Sequence, residues 1–230
     1  MTGTLGSIIE RKFLEETYSV DFVNIPLALA KKFREFPPII VQNKNKWEEE
    51  IFKNTSEVIT KQSVLVICET VNDVERFFRY FKDQKDFKSN IYQYRRSYES
   101  FNILNVSEGL GPGVVIIATN LAGRGTDSKI SEELNRKGGL HVILAYLPDN
   151  VRIEQQAFGL SARKENNGSG QMIFINPSFE LNKTLMQLKR ERDDNELLRI
   201  SDIKSYYKNF IKFEEEFFEI FSKSYSNLYS

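Results

Sequence analysis

The sequence predicts an α/β fold, a parallel sheet flanked by helices with a helical extension at its carboxyl end. Three observations carry that reading. Continuous apolar runs occur at residues 63–68, 113–118 and 139–145, and such runs suit strands buried on both faces of a parallel sheet. Segments with helical periodicity lie between them, so strand and helix alternate. From Pro177 onward only helical spacing remains, first in Leu181, Leu185 and Leu188, then in Phe210, Phe213, Phe217 and Phe221.

Residues 7–17 read as a helix and residues 20–25 as a strand. Pro37 and Pro38 lead into a short strand at 39–41. Residues 47–59 form a helix with Trp47, Ile51 and Val58 on roughly one face. After the first apolar run, Thr70-Val71-Asn72-Asp73 has the form of a capping box and opens a helix to about Phe81. A strand at 90–94, a helix at 151–162 and a strand at 172–175 complete the alternation. The tail reads as two or more helices, and its aromatic stripe is expected to pack on the chain's own sheet. A docking face is the alternative. His141 interrupts an apolar strand and is expected to be hydrogen-bonded inside the sheet, and Cys68 is expected to be a small core residue.

Composition narrows the function. Lys plus Arg equals Asp plus Glu, at 32 each in 230 residues, which offers no global attraction to nucleic acid or anionic lipid. Eighteen Phe and ten Tyr supply enough apolar area for a sizeable core. The one cysteine cannot form an internal disulfide, and it builds no metal site with the lone histidine. No apolar run approaches the ~20 residues needed to span a bilayer. Met1-Thr2-Gly3-Thr4 does not open a signal peptide. The expectation is a cytoplasmic protein, or one peripheral to a membrane.

Chemistry in a parallel sheet is sought at the carboxyl ends of the strands, here the loops after Cys68, Ala118 and Ala145. One loop stands out, Ala118-Thr119-Asn120-Leu121-Ala122-Gly123-Arg124-Gly125-Thr126-Asp127. Gly123 and Gly125 let the backbone turn tightly and approach a ligand. Arg124 offers a charged fork and Asp127 an acceptor, a combination suited to a phosphate-bearing ligand with a ribose. A surface turn with a solvated Arg–Asp pair is the alternative.

This decapeptide resembles the fifth helicase-type motif of the SecA protein-translocase family. Met1-Thr2-Gly3-Thr4 resembles the motif that ends that family's first nucleotide-binding domain. Gly138-Gly139-Leu140-His141-Val142-Ile143 resembles the strand after the fifth motif, and Arg152-Ile153-Glu154-Gln155-Gln156 the opening of the sixth. The resemblance covers residues 1–175. It implies a RecA-like second nucleotide-binding domain over 1–176, in which 1–19 hold the end of the first domain's last motif and a linking helix. Residues 177–230 are then a helical extension, in the position of the family's helical scaffold.

By the same resemblance, Gly123, Arg124, Gly125, Asp127, Gln156 and Gly159 bind nucleotide, and Arg163 and Arg124 act catalytically. The sixth motif departs from the family's QLRGRSGRQGDPG: Phe158 and Leu160 stand where it has arginines, and Ala162 where it has glycine. Arginines of this kind can be worth about 10³–10⁵ in rate, and Arg163 is the remaining candidate. No GxxxxGK[ST] loop is present to cradle phosphates, so ATP with Mg²⁺ would be shared with a Walker-bearing domain not in this chain, and no protein metal site is expected.

The resemblance thus implies a motor domain that forms one wall of an ATP site and couples hydrolysis to protein transport. Its partners would be a first nucleotide-binding domain, in cis or in trans, an unfolded preprotein and a translocation channel. A catalytically inactive interaction module is the alternative. A nucleic-acid helicase domain would need a basic stripe, and the clusters at Arg95-Arg96 and Lys189-Arg190-Glu191-Arg192 read better as solvated surface.

Overall fold

The apolar runs form the centre of one parallel sheet. The computed structural model describes residues 6–23, 30–95, 109–120, 129–163, 165–176 and 183–228. Within them lie β1 (Phe33–Glu35), β2 (Ile39–Val41), β3 (Ser63–Cys68), β4 (Asn90–Tyr94), β5 (Val114–Thr119), β6 (Leu140–Leu144) and β7 (Gly168–Ile175). The spatial order is β1-β7-β6-β3-β5-β4, with β2 also pairing β7, and every pair is parallel. Parallel neighbours need crossovers, and helices supply them. The connecting helices are α2 (Lys44–Val58), α3 (Val71–Asp83), α4 (Glu132–Arg136) and α5 (Val151–Phe158); α1 (Ile8–Tyr18) precedes the sheet, and α6 (Leu185–Tyr206) and α7 (Lys212–Leu228), with a π-helical turn, Tyr207–Ile211, between them, follow it. The fold is a RecA-like sheet flanked by helices and followed by a long helical element.

All six residues of β3 and all five of β6 are buried. Alternate side chains enter two clusters. Leu65, Ile67, Val142 and Leu144 meet Phe158 of α5 and Leu188 of α6 on one face. Val64, Val66, Ile143 and Ile173 meet Trp47 of α2 and Phe77 of α3 on the other. Each fully buried aliphatic or aromatic side chain contributes roughly 1.5–3 kcal/mol, so the two-sided sheet is the main source of stability. Thr70 caps α3 by accepting from the Asp73 amide at 3.1 Å, while its own hydroxyl donates to the Asp73 carboxylate at 2.6 Å.

Several elements differ from expectation. Residues 20–23 are not strand, and 24–25 lie outside the described residues. The edge strand is β1 instead, whose sequence Phe-Arg-Glu carries no apolar run. The fifth helix stops at Phe158 rather than near Ala162, and Ala162 itself adopts φ 52°, which no α-helix contains. The last strand begins at Gly168, four residues before Met172, since Gly168–Gly170 pair with both β1 and β6. The aromatic stripe does not pack on the sheet: Phe210, Phe213, Phe217 and Phe221 are 57–67% exposed. Leu188 is buried against the sheet and Leu185 packs beside it, while Leu181 lies outside the described residues.

His141 and Cys68 sit as expected. His141 is 1% exposed, shares a 2.8 Å hydrogen bond between Nδ1 and Ser169 Oγ, and stands edge-on to Phe36. Its Nε2 has no partner among the described residues. Burial lowers its pKa from 6.5 to about 4. Between those values the unfolded chain takes up a proton that the folded one refuses, so stability falls as pH drops through that window and is undiminished above it. A shift of this size corresponds to about 3 kcal/mol. Urea melts at pH 7 and pH 4.5 should show a smaller acid loss for His141→Gln than for the natural chain.

Candidate functional site

Both ends of the sheet carry polar groups, and α5 connects them. Asn150 follows β6 at its carboxyl end and caps α5 by accepting from the Ile153 amide at 3.0 Å. The helix then runs back along the sheet. Its far end places Ser161 over the start of β6, where Oγ donates to the Leu140 carbonyl at 3.1 Å. Gln156, Gly159 and Arg163 are therefore carried toward the amino ends of β6 and β7.

Glycines fix this amino end. Gly139 adopts φ 77°, and a Cβ there would overlap the Asn167 carbonyl oxygen. A Cβ on Gly168 would overlap Ser161 Oγ. Asn135 ties the loop further, its Oδ1 accepting from the Asn167 amide at 2.7 Å and its carbonyl from Asn167 Nδ2 at 2.9 Å. Arg163 Nε donates to the Gly159 carbonyl at 2.9 Å. Lys31, just before β1, donates from Nζ to the Phe158 carbonyl at 3.2 Å and lies 4.6 Å from the centre of the Phe33 ring. Desolvation lowers the Lys31 pKa, and the positive charge of Arg163 lowers it further. Two cations thus meet at consecutive carbonyls at the end of α5, where the helix dipole favours positive charge. Nothing in the sequence singled out Lys31.

Phe158 faces inward. It is 6% exposed, its ring lies 5.6 Å from that of Phe33, and Gly170 leaves room for both. Leu160 packs half-buried against the same cluster. The two positions where the family pattern has arginine are therefore apolar contacts here. Gly123, Arg124, Gly125 and Asp127 lie outside the described residues. The flanking residues do not: Thr119 ends β5 at its carboxyl end, whereas Lys129 lies at the amino end, its carbonyl accepting from Leu110 at 2.8 Å.

At the carboxyl end, a cavity of about 640 Å³ separates the loop after β6 from α6, lined by Leu147, Asp149, Asn150, Arg152, Arg192 and Glu196 among others. Arg192 in its lining belongs to an ion-pair cluster. Glu154 of α5 receives Lys189 at 2.6 Å and Arg192 at 2.5 Å, and Arg192 is 6% exposed at its side chain. Nearby, desolvation raises the Glu69 pKa, with Asp149 and Asp73 adding to it. The basic clusters are accordingly engaged, since Arg95 pairs with Glu75 at 3.1 Å; Arg96 lies outside the described residues. Among the described residues no His, Cys, Asp or Glu group could hold a metal ion, and no helix is long and apolar enough to cross a membrane.

No family model matches the chain. Protein translocase subunit SecA of Sulfurimonas denitrificans is 30% identical over 172 residues, which are 74% of this chain and 20% of that protein. Protein translocase subunit SecA 2 of Staphylococcus epidermidis is 32% identical over 185 residues, 80% of this chain and 22% of that protein. Over those residues this chain is a member of the SecA family. It spans about a fifth of the length of these relatives. Among solved structures, domain 2 of the Mss116p DEAD-box helicase bound to an RNA duplex aligns at TM-score 0.45 and 15% identity, covering 61% of this chain and 54% of that one.

The SecA family pattern has glycine where this chain has Ala162, and the structure gives the reason. The residue sits at φ 52°, where a Cβ costs about 1 kcal/mol that glycine avoids. Ala162→Gly should raise the stability of the folded chain by roughly 0.5–1 kcal/mol in a urea melt, while leaving the position of Arg163 unchanged.

Proposed function

We propose that this SecA-family chain is a translocase motor domain that forms one wall of an ATP site and couples nucleotide state to its long helical element. The observation that supports it most is the way α5 joins the two ends of the sheet. One end holds Gln156, Gly159 and Arg163 beside Gly139 and Gly168. The middle carries Glu154, which holds Lys189 and Arg192 of α6. A shift of the loop at residues 159–163 on nucleotide binding would move α5, and with it α6.

In this reading Arg163 stabilises charge developing on the transferred phosphoryl group, as a preorganised cation does in a site shielded from water. Lys31 adds positive charge beside it. Arg124 takes a phosphate and Asp127 a ribose hydroxyl, with Gly123 and Gly125 admitting the ligand. ATP supplies the phosphoryl group when bound, and Mg²⁺ would be held by the Walker-bearing domain. The partners are that first nucleotide-binding domain, an unfolded preprotein and a translocation channel, at the cytoplasmic face of a membrane.

The inactive interaction module is a second reading, favoured by one observation. The side chains at 158 and 160 are apolar packing rather than cations, so at most part of the usual charge faces a phosphate.

Turnover of ATP by this chain mixed with the first nucleotide-binding domain of a SecA protein tests both. The motor reading expects turnover in the mixture, and a loss of about 10³-fold or more for Arg163→Ala. A mixture in which the folded chain adds no turnover supports the inactive module. In the same mixture Leu160→Arg should raise turnover, because position 160 is only half-buried and a longer side chain there can leave its apolar contact for solvent. An unchanged rate would show that position 160 does not face the phosphates.

A further inference from the structure

The helix α7 stands away from the sheet, with residues 212–225 exposed on every side. It nevertheless carries Phe213, Phe217, Phe218, Ile220, Phe221 and Tyr225, each 56–69% exposed. With Tyr206 and Phe210 before it, this is far more contiguous apolar surface than isolated exposed residues produce, and a patch of this kind marks an interaction site. At 3.6 residues per turn these side chains share one broad face. Aromatic side chains present about 150–250 Å² each, so the face offers on the order of the ~800 Å² per partner found in stable interfaces.

Charge selects the occupant. Glu214 falls inside the apolar face, one turn from Phe210, Phe217 and Phe218. The other carboxylates of α7 have partners: Glu215 accepts from the Tyr207 hydroxyl at 3.3 Å, Glu216 lies 4.0 Å from Lys212, and Glu219 lies 3.8 Å from Lys223. Glu214 makes no hydrogen bond or ion pair among the described residues. Covering the face strips water from its carboxylate, which is costly unless a cation meets it. A second copy of this chain would bring a second row of carboxylates, and an anionic lipid surface would bring phosphates. We infer that the aromatic face of α7 docks an amphipathic helix of a partner protein whose apolar stripe carries lysine or arginine, with one cation seated on Glu214.

The inference is independent of the ATP site, and its test uses the chain alone. The probes are an 18-residue amphipathic helix of leucine and lysine and its leucine–glutamate counterpart, titrated calorimetrically into the chain at two salt concentrations. The expected result is a lysine peptide that binds at least ~10-fold more tightly than the glutamate peptide, with the gap narrowing at high salt. Glu214→Gln should remove most of that preference, and Phe213→Ser with Phe217→Ser should abolish binding. All these positions are exposed, so both variants should keep the natural chain's circular dichroism and melting temperature.

Equal binding of the two peptides, or a preference untouched by Glu214→Gln, overturns the inference. So does sedimentation that shows the chain dimerising through the stripe, abolished by the double serine variant, because that assigns the face to a second copy. Binding to anionic vesicles in place of the lysine peptide overturns it as well.

Discussion

Close approach of backbone to backbone at the amino end of the sheet is the constraint on which the rest depends. The loop from α5 to β7 must lie directly on the start of β6. That is possible because Gly139 and Gly168 present no Cβ to Asn167 and Ser161. Once seated, the loop is tied by Asn135 to Asn167 and by Ser161 to Leu140. These ties use backbone groups that would otherwise be buried without partners, a cost of about 1–3 kcal/mol each. The position of Arg163 follows from this seating, because its guanidinium holds the Gly159 carbonyl in the same loop.

The same helix that ends in this loop fixes the long extension. Glu154 is 14% exposed at its side chain and Arg192 is 6% exposed. A pair this buried adds little net stability over apolar packing, but removing one partner leaves a charge without compensation, a loss of about 3–5 kcal/mol. Such a pair acts as a register mark. It allows α6 one position against α5, with Leu185 and Leu188 filling the apolar contact on the sheet side. At the opposite end of the described chain, Lys204 of α6 pairs with Glu16 of α1 at 2.6 Å. This contact is exposed and screened by solvent, so it aligns α1 rather than anchoring it.

The sheet centre was legible in the sequence because β3, β5 and β6 are apolar on both faces, and burial on both faces leaves a pattern without alternation. The edges were not. The short strand β1 is held by backbone pairing to Gly168–Gly170, and its charged residues face solvent, so hydropathy carries no trace of it. The first half of β7 is glycine and serine because Phe33 and Phe158 lie over Gly170, which hides a strand that composition would place four residues later. Motif spacing singled out Gln156, Gly159 and Arg163, and the structure carries them toward the amino ends of β6 and β7. Direction explains that placement: a helix that begins at the carboxyl end delivers its last residues to the amino end. Lys31 left no signal, since its role comes from a neighbour 127 positions away.

The replacement of arginine by Phe158 is therefore a change of packing as well as of charge. An inward side chain at 158 is accommodated by Gly170 and completed by Phe33, three residues on three different elements. Restoring a cation at 158 alone would bury it among apolar groups without a partner. The backbone at that same residue nevertheless draws positive charge, because its carbonyl is among the last of α5 and Lys31 reaches it from just before β1. Arg163 occupies the next carbonyl. Repulsion between these two cations is offset by the helix terminus they share, so the amino end keeps positive potential although two of its arginines are absent.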